Sequence, residues 1–328
     1  ATTMSSMFSS TKNLKEVDVR YFDTSNVTTM SSMFYETSAL ESLDVRYFDT
    51  SNVTSMASMF SYSAVPELDL RYFNTGKVET MGSMFSNVTG LTELDLTSFD
   101  TSNVTNMSYM FYSWKSNAKL TSLDLSSFDT SKVTNMSQMF QGLALLPELD
   151  LSNFDTSSVT NMSQMFFNCG SLEKLDISNF DTTHSPSTSL MFNSRALKEI
   201  TIGDNLVLKN SYPYISTIAP YDGTWVEKDD AAGTTLKSAN LFSEGGHAGT
   251  WVWHEATYKL SFLPGDEGSG SMATVHPAVG QKYTFAPKFT SAMYEVSGFK
   301  DQNGKEYAVN GDGTCTIPAN SYPAVDGK

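Results

Sequence analysis

The chain has 328 residues, 40% of them hydrophobic and 17% charged, with a formal net charge of −15 and two cysteines. That length fills two or three ordinary domains, and the acidic balance excludes a general basic field for nucleic-acid phosphates. Two distant cysteines, Cys169 and Cys315, make no disulfide framework or metal-ligand spacing, and no apolar run is long enough to span a membrane.

The first residues, ATTMSSMF, copy VTTMSSMF at Val27 to Phe34. The chain therefore starts inside a repeat, and it is expected to be a fragment, with earlier repeats, export signal and anchor outside it. The dipeptide Met-Phe recurs at Met7-Phe8, Met33-Phe34, Met59-Phe60, Met84-Phe85, Met110-Phe111, Met139-Phe140, Met165-Phe166 and Met191-Phe192. A period near 26 residues means units too small to bury their own apolar face, which stack on their neighbours.

Leu40 to Phe60 serves as the type unit. Leu43-Asp44-Val45 alternates apolar, polar, apolar, the pattern of a short half-buried strand. Stacked copies predict one continuous parallel sheet. Phe48 reads as a core filler, and Asp49-Thr50-Ser51-Asn52 as turn formers and cap residues. Val53, Met56, Met59 and Phe60 follow at a spacing that predicts one face of a short helical turn. Met and Phe in every unit at that spacing read as core, not as a sulfur site or aromatic platform.

Between Phe111 and Leu120 the unit is longer and carries Trp114 and Lys115, which predicts a loop bulging from the stack. The pattern frays at Thr182 to Phe192, where His184 reads as structural or solvated. Residues 203–257 lose the periodicity. GTWV at Gly223 to Val226 and GTWVW at Gly249 to Trp253 predict strands that pair and close the end of the stack. Residues 258–328 predict a small β-rich module: strands at Tyr258 to Phe262 and Gln281 to Phe285, a Gly-rich turn at Gly265 to Gly270, a hairpin about Asn303-Gly304, and a last strand near Cys315. The expected domains are thus a stack over 1–202, a β-rich cap over 203–257 and the module over 258–328.

The stretch LDLSSFDTSKVTNMSQMF (Leu123 to Phe140) resembles the BspA-like leucine-rich-repeat proteins and, more narrowly, the Mycoplasma-type surface-lipoprotein repeat, over residues 1 to 202. The module after Tyr258 resembles the internalin-type B-repeat, a β-grasp-like unit, with Gly298-Phe299 where the usual pair is Gly-Trp. The resemblance implies a leucine-rich-repeat-like solenoid on a bacterial cell surface, outside the cell, with adhesion to host or neighbouring-cell proteins as its role. It implies no catalytic residue, cofactor or metal.

On the exposed face of the predicted sheet, Asp18, Asp44, Asp69, Asp95, Asp124, Asp150 and Asp176 form a central column. Glu16, Glu67, Glu93, Glu148 and Glu199 precede it, with Ser42, Ser122 and Lys174 interspersed. Arg20, Arg46 and Arg71 follow it and supply counter-charge, each with a tyrosine next to it, Tyr21, Tyr47 and Tyr72. Stacked carboxylates repel unless relieved. The aspartates therefore read as acceptors for Ser, Thr or backbone donors, as part of a protein-binding surface, or as both. Calcium binding ranks below these, because such sites need six or more shaped oxygens. Arg and Tyr are favoured at binding hot spots, so these columns are the candidate surface.

Three other functions remain as alternatives. A passive stalk would need only the stack. A polysaccharide-acting enzyme would need paired carboxylates at a break in the pattern, whereas here the aspartates are the regular element. Ice binding would use the threonine column Thr24, Thr50, Thr75, Thr101, Thr130 and Thr156, though the adjacent aspartates favour a capping role for it.

Overall fold

A computed structural model describes residues 1–114, 118–193, 195–208, 211–214, 217, 221–230, 233–243, 245–255, 283–285, 298–300, 306–310 and 314–317. Contacts divide the chain into one unit of residues 1–215 and 225–252 and another of residues 216–224 and 253–328.

In the first unit the Met-Phe segments carry the stacking. Residues two apart send their amides to the next repeat: Met30 N–H to Ser55 O (3.0 Å), Ser32 to Ala57 (2.8 Å), Phe34 to Met59 (2.9 Å) and Glu36 to Ser61 (2.8 Å). The amides between them turn back inside the repeat, Met33 to Met30 O and Tyr35 to Ser32 O. Parallel bridges mark the same ladder along the stack, from Thr3–Thr29 through Ser55, Thr80, Asn106, Asn135 and Asn161 to Ser187.

The expected helical turn is thus replaced by linked β-turns. Ser32 (φ 58° at the preceding copy, Ser6; 57° here) and Glu36 (58°) are left-handed, as are Ser58, Tyr62, Ser83 and Asn87. An α-helix cannot hold such residues at each turn. The apolar spacing fits both forms, since either places Met56, Met59 and Phe60 inside at 0% exposure.

Phenylalanine rings run through the centre in a continuous stack. Phe8, Phe34, Phe60, Phe85, Phe111, Phe140, Phe166 and Phe192 follow one another at 5.4 to 5.9 Å between centroids. Offset ring pairs of this kind add about 0.5–1.5 kcal/mol each beyond area burial.

The predicted continuous sheet through the Leu-Asp-Val triplets is shorter than expected. Among the described residues, pairing as strands begins only at β1 (Glu148–Asp150). The chain continues through β2 (Phe166–Phe167), β3 (Lys174–Ile177), β4 (Phe192–Asn193) and β5 (Glu199–Ile202). β1, β3 and β5 pair in parallel, and β2 pairs with β4. Local bonds take the groups beside each triplet: the Arg46 amide goes to Asp44 Oδ1 and the Phe48 amide to Val45 O. The same local bonds recur at Asp150 and Asp176, beside the paired strands, so they do not account for the shorter sheet.

β6 (Tyr221–Glu227), β7 (Thr235–Leu236), α1 (Ser238–Ser243) and β8 (Gly249–Glu255) follow. The sheet order is β1-β3-β5-β8-β6-β7, so the two GTWV segments are neighbouring strands on the last parallel strand. β8 runs antiparallel to β5, with Ile200 opposite Trp251. Trp225 is fully buried and its indole N–H reaches Ser238 Oγ at 2.9 Å.

In the second unit β9 (Tyr283–Phe285) pairs with β12 (Cys315–Ile317), and β10 (Gly298–Lys300) with β11 (Glu306–Ala308), both antiparallel. The expected strand at Tyr258 to Phe262, the turns at Gly265 to Gly270 and Asn303-Gly304, and Lys115 lie outside the described residues. No described helix is long and apolar enough to cross a membrane.

Candidate interaction surface

The seven column aspartates lie on one side of the stack. Asp18, Asp44 and Asp69, with Glu16, Glu41, Glu67, Arg20 and Arg46, line an open groove of about 960 Å³. From Asp69 a second groove of about 1350 Å³ continues past Asp95, Asp124 and Asp150 to Asp176, lined also by Arg71, Glu93, Ser122, Glu148 and Lys174. The residues flanking the buried apolar pair thus share one face, as alternation requires. Glu199 lies on β5 and is paired with Lys228 at 2.7 Å.

Each aspartate also organises its own turn. Asp18 Oδ1 accepts the Arg20 amide at 3.1 Å, and its carboxylate takes the Arg20 guanidinium in two bonds of 2.9 and 2.8 Å. Asp44 with Arg46 and Asp69 with Arg71 repeat this geometry. Further along, Asp95 accepts the Thr97 amide and hydroxyl, and Asp124, Asp150 and Asp176 accept the amides of Ser126, Ser152 and Ser178. The side-chain bond from Arg20, reinforced by its amide, holds the Asp18 carboxyl down at about 2. Arginine side-chain bonds lower Asp44 and Asp69, and the Thr97 hydroxyl and amide lower Asp95.

The relief of carboxylate repulsion is therefore local. In the first three units it comes from guanidinium, and in the later ones from hydroxyl and amide dipoles. The arginines are committed within their own turns, which the sequence did not reveal, because an i, i+2 pair on a strand points the same way without having to touch. The tyrosines stand open instead: Tyr21, Tyr47 and Tyr72 are 87%, 57% and 62% exposed. The Arg20 guanidinium lies 5.8 Å from the Tyr21 ring centroid.

The threonine column has a different role from the one a surface reading gives it. Thr24, Thr50, Thr75, Thr101, Thr130 and Thr156 are all buried, at 0–2% exposure, so they present no face to ice. Thr50 Oγ1 accepts the Asn74 amide at 2.7 Å and donates to Asn74 O at 3.0 Å. Thr75 treats Asp100 in the same way. These hydroxyls staple one repeat to the next. The recurrent Asp-Thr-Ser signature marked the position, but the bonding partner lies a full repeat away and local turn rules do not point to it.

His184 turns its Nε2 to Val159 O at 2.6 Å, a structural bond to the preceding repeat. The thiol of Cys169 is buried and pushed up to about 12 by desolvation. Among the described residues no cluster of His, Cys, Asp and Glu is arranged to hold a metal ion.

One family model, described as Mycoplasma protein of unknown function, DUF285, matches the chain twice, over residues 2–122 and 113–203. No curated protein and no solved structure matches it.

Proposed function

The chain belongs to that Mycoplasma-associated family, and on this premise we propose that it is a bacterial cell-surface interaction scaffold that binds a protein of a host or neighbouring cell through its grooved face. In this reading the stack is a leucine-rich-repeat-like solenoid of the BspA type, lies outside the cell and catalyses nothing. The observation that supports it best is the groove itself: one face of acidic side chains alternating with partly exposed valine and leucine, running from Glu16 to Asp176, with the exposed Tyr21, Tyr47 and Tyr72 following the arginines of its first units. Repeat stacks commonly bind along such extended surfaces, and Tyr and Arg are enriched where binding energy concentrates.

The regularity of the face favours binding over chemistry. Every aspartate of the column is held by a donor two residues on, whereas a hydrolytic pair needs two carboxyl groups in different environments. The test is binding of the purified chain to cultured host cells and to immobilised extracellular-matrix proteins. Saturable binding, reduced when Tyr21, Tyr47 and Tyr72 or the groove carboxylates are replaced, supports the reading. Absence of saturable binding to any of these surfaces leaves the stalk as the better account.

A further inference from the structure

The position three residues after each column aspartate changes character midway along the stack. At Ser98, Ser127 and Asn153 it ties a repeat to its predecessor. The Ser98 hydroxyl donates to Leu70 O at 3.5 Å and Ser127 to Leu96 O at 3.2 Å. The Asn153 amide donates to Leu125 O at 3.0 Å and Phe128 O at 2.8 Å. In the first three units the same position holds Tyr21, Tyr47 and Tyr72, more than half exposed. A stapling hydrogen bond gives way to an aromatic ring held largely in water. The neighbouring position switches in the same units, from Thr or Ser to Arg.

The paired arginines decide what kind of partner fits. Each guanidinium is chelated by its own aspartate at 2.8–2.9 Å, so the row offers no free cation to an anionic ligand. Beside it the groove presents six carboxylates: Asp18, Asp44 and Asp69 are paired with Arg20, Arg46 and Arg71 and Glu41 with Lys15 at 2.7 Å, so the carboxylates of Glu16 and Glu67 leave this face net acidic. Tyrosine faces attract ammonium and guanidinium groups. The three tyrosines occupy the same position of three successive units, so a partner that reaches all three must run along the stack as an extended segment.

We propose that Tyr21, Tyr47 and Tyr72 form a docking row for an extended, basic peptide segment of a partner protein, with its cationic side chains over the rings and along the groove. This rests on the scaffold reading and names the partner's chemistry.

The experiment measures fluorescence anisotropy of labelled oligolysine and oligoglutamate twelve-residue peptides, and of a labelled neutral β-linked glucose hexamer, against the full chain. Oligolysine is expected to bind saturably and oligoglutamate not at all. The triple variant Tyr21→Ser/Tyr47→Ser/Tyr72→Ser uses a residue that the later units accept, and it is expected to bind oligolysine at least tenfold more weakly with unchanged circular dichroism. Should the triple variant lose its fold, Tyr21→Ser alone, at the most exposed ring, is expected to weaken binding threefold or more. The charge-removing variant Asp124→Asn/Asp150→Asn/Asp176→Asn is expected to lose less than the tyrosine variant. Oligolysine binding that is indifferent to the tyrosines, or stronger binding of oligoglutamate or the glucose hexamer, overturns the proposal. If the chain still binds cells while the tyrosine variants bind as well as the parent, this inference fails and the scaffold reading stands.

Discussion

The Thr101 hydroxyl accepts the Asp129 amide at 2.8 Å and donates to the Asp129 carbonyl at 2.8 Å. One buried side chain closes both backbone groups of one residue in the next repeat. Water does this for an ordinary surface turn, but here Thr101 is 1% exposed, so water is kept from the threonine side of the bond pair.

Thr101→Val keeps the shape and removes both bonds. Leaving backbone groups unpaired in a buried setting costs about 1–3 kcal/mol. The midpoint of urea unfolding is expected to fall accordingly, whereas Thr101→Ser, which retains the hydroxyl, is expected to lose less than half as much. Equal midpoints for Thr101→Val and the parent would contradict the stapling role.

Phe111 stacks on Phe85 and Phe140 at 5.8 Å on either side and is 1% exposed. Phe111→Ala is expected to cost about 3–5 kcal/mol through lost transfer energy and the cavity left behind. Because each unit touches only its neighbours, the loss should uncouple the stack. Hydrogen exchange is expected to show units before and after Phe111 opening separately, where the parent opens together.

Ser58 sits at φ 56°, a conformation that costs an L-residue about 1 kcal/mol. Ser58→Gly is expected to raise stability by a few tenths to about 1 kcal/mol, because relief of strain exceeds the entropy glycine adds to the unfolded chain. Gly90→Ala tests the opposite case: its Cβ would lie 2.2 Å from Val65 O and 2.3 Å from Ala64 O, and thermal unfolding should show a clear loss.

The carboxylates of Asp18, Asp23, Glu36, Asp44, Asp49, Asp69, Asp95, Asp100, Asp124, Asp129 and Asp181 are all held below their ordinary range by hydrogen-bond donors. A carboxyl lowered on folding stabilises above its unfolded value and loses that contribution as protons bind the folded state. The melting temperature is therefore expected to be nearly flat from pH 7 to pH 5. It should then fall from roughly pH 4, the unfolded carboxyl range, towards the value of about 2 that Asp18 reaches. A melting temperature that rises across this acid interval would show that repulsion among the acids outweighs their turn bonds.

The repeat period and the Met-Phe core were legible because burial selects residue type at every step. The hydroxyl and backbone donors to the column aspartates were also foreseeable, and so was counter-charge from the arginines, but not that each guanidinium is chelated by the aspartate of its own turn. The backbone form of the Met-Phe segment was not. Apolar residues at steps of three, three and one suit a helical turn as well as linked β-turns, and only the positive φ of residues such as Ser32 and Ser58 separates them. Nor was the exchange of Tyr72 for Ser98 readable as a lost staple, because the acceptor, Leu70 O, belongs to the preceding unit.

Junctions of unlike length share one geometry. The ring step is 5.9 Å from Phe60 to Phe85, 25 residues apart, and 5.8 Å from Phe111 to Phe140, 29 residues apart. The difference in length leaves the seam spacing unchanged. Copy number is thereby freed from folding: a gene encoding such a chain can gain or shed whole modules by recombination, and its product simply grows longer or shorter. A shortened chain lacking residues 35–60, in which Phe34 would rest on Phe85, is expected to melt as one species, and an aggregated product would show that the modules are not interchangeable.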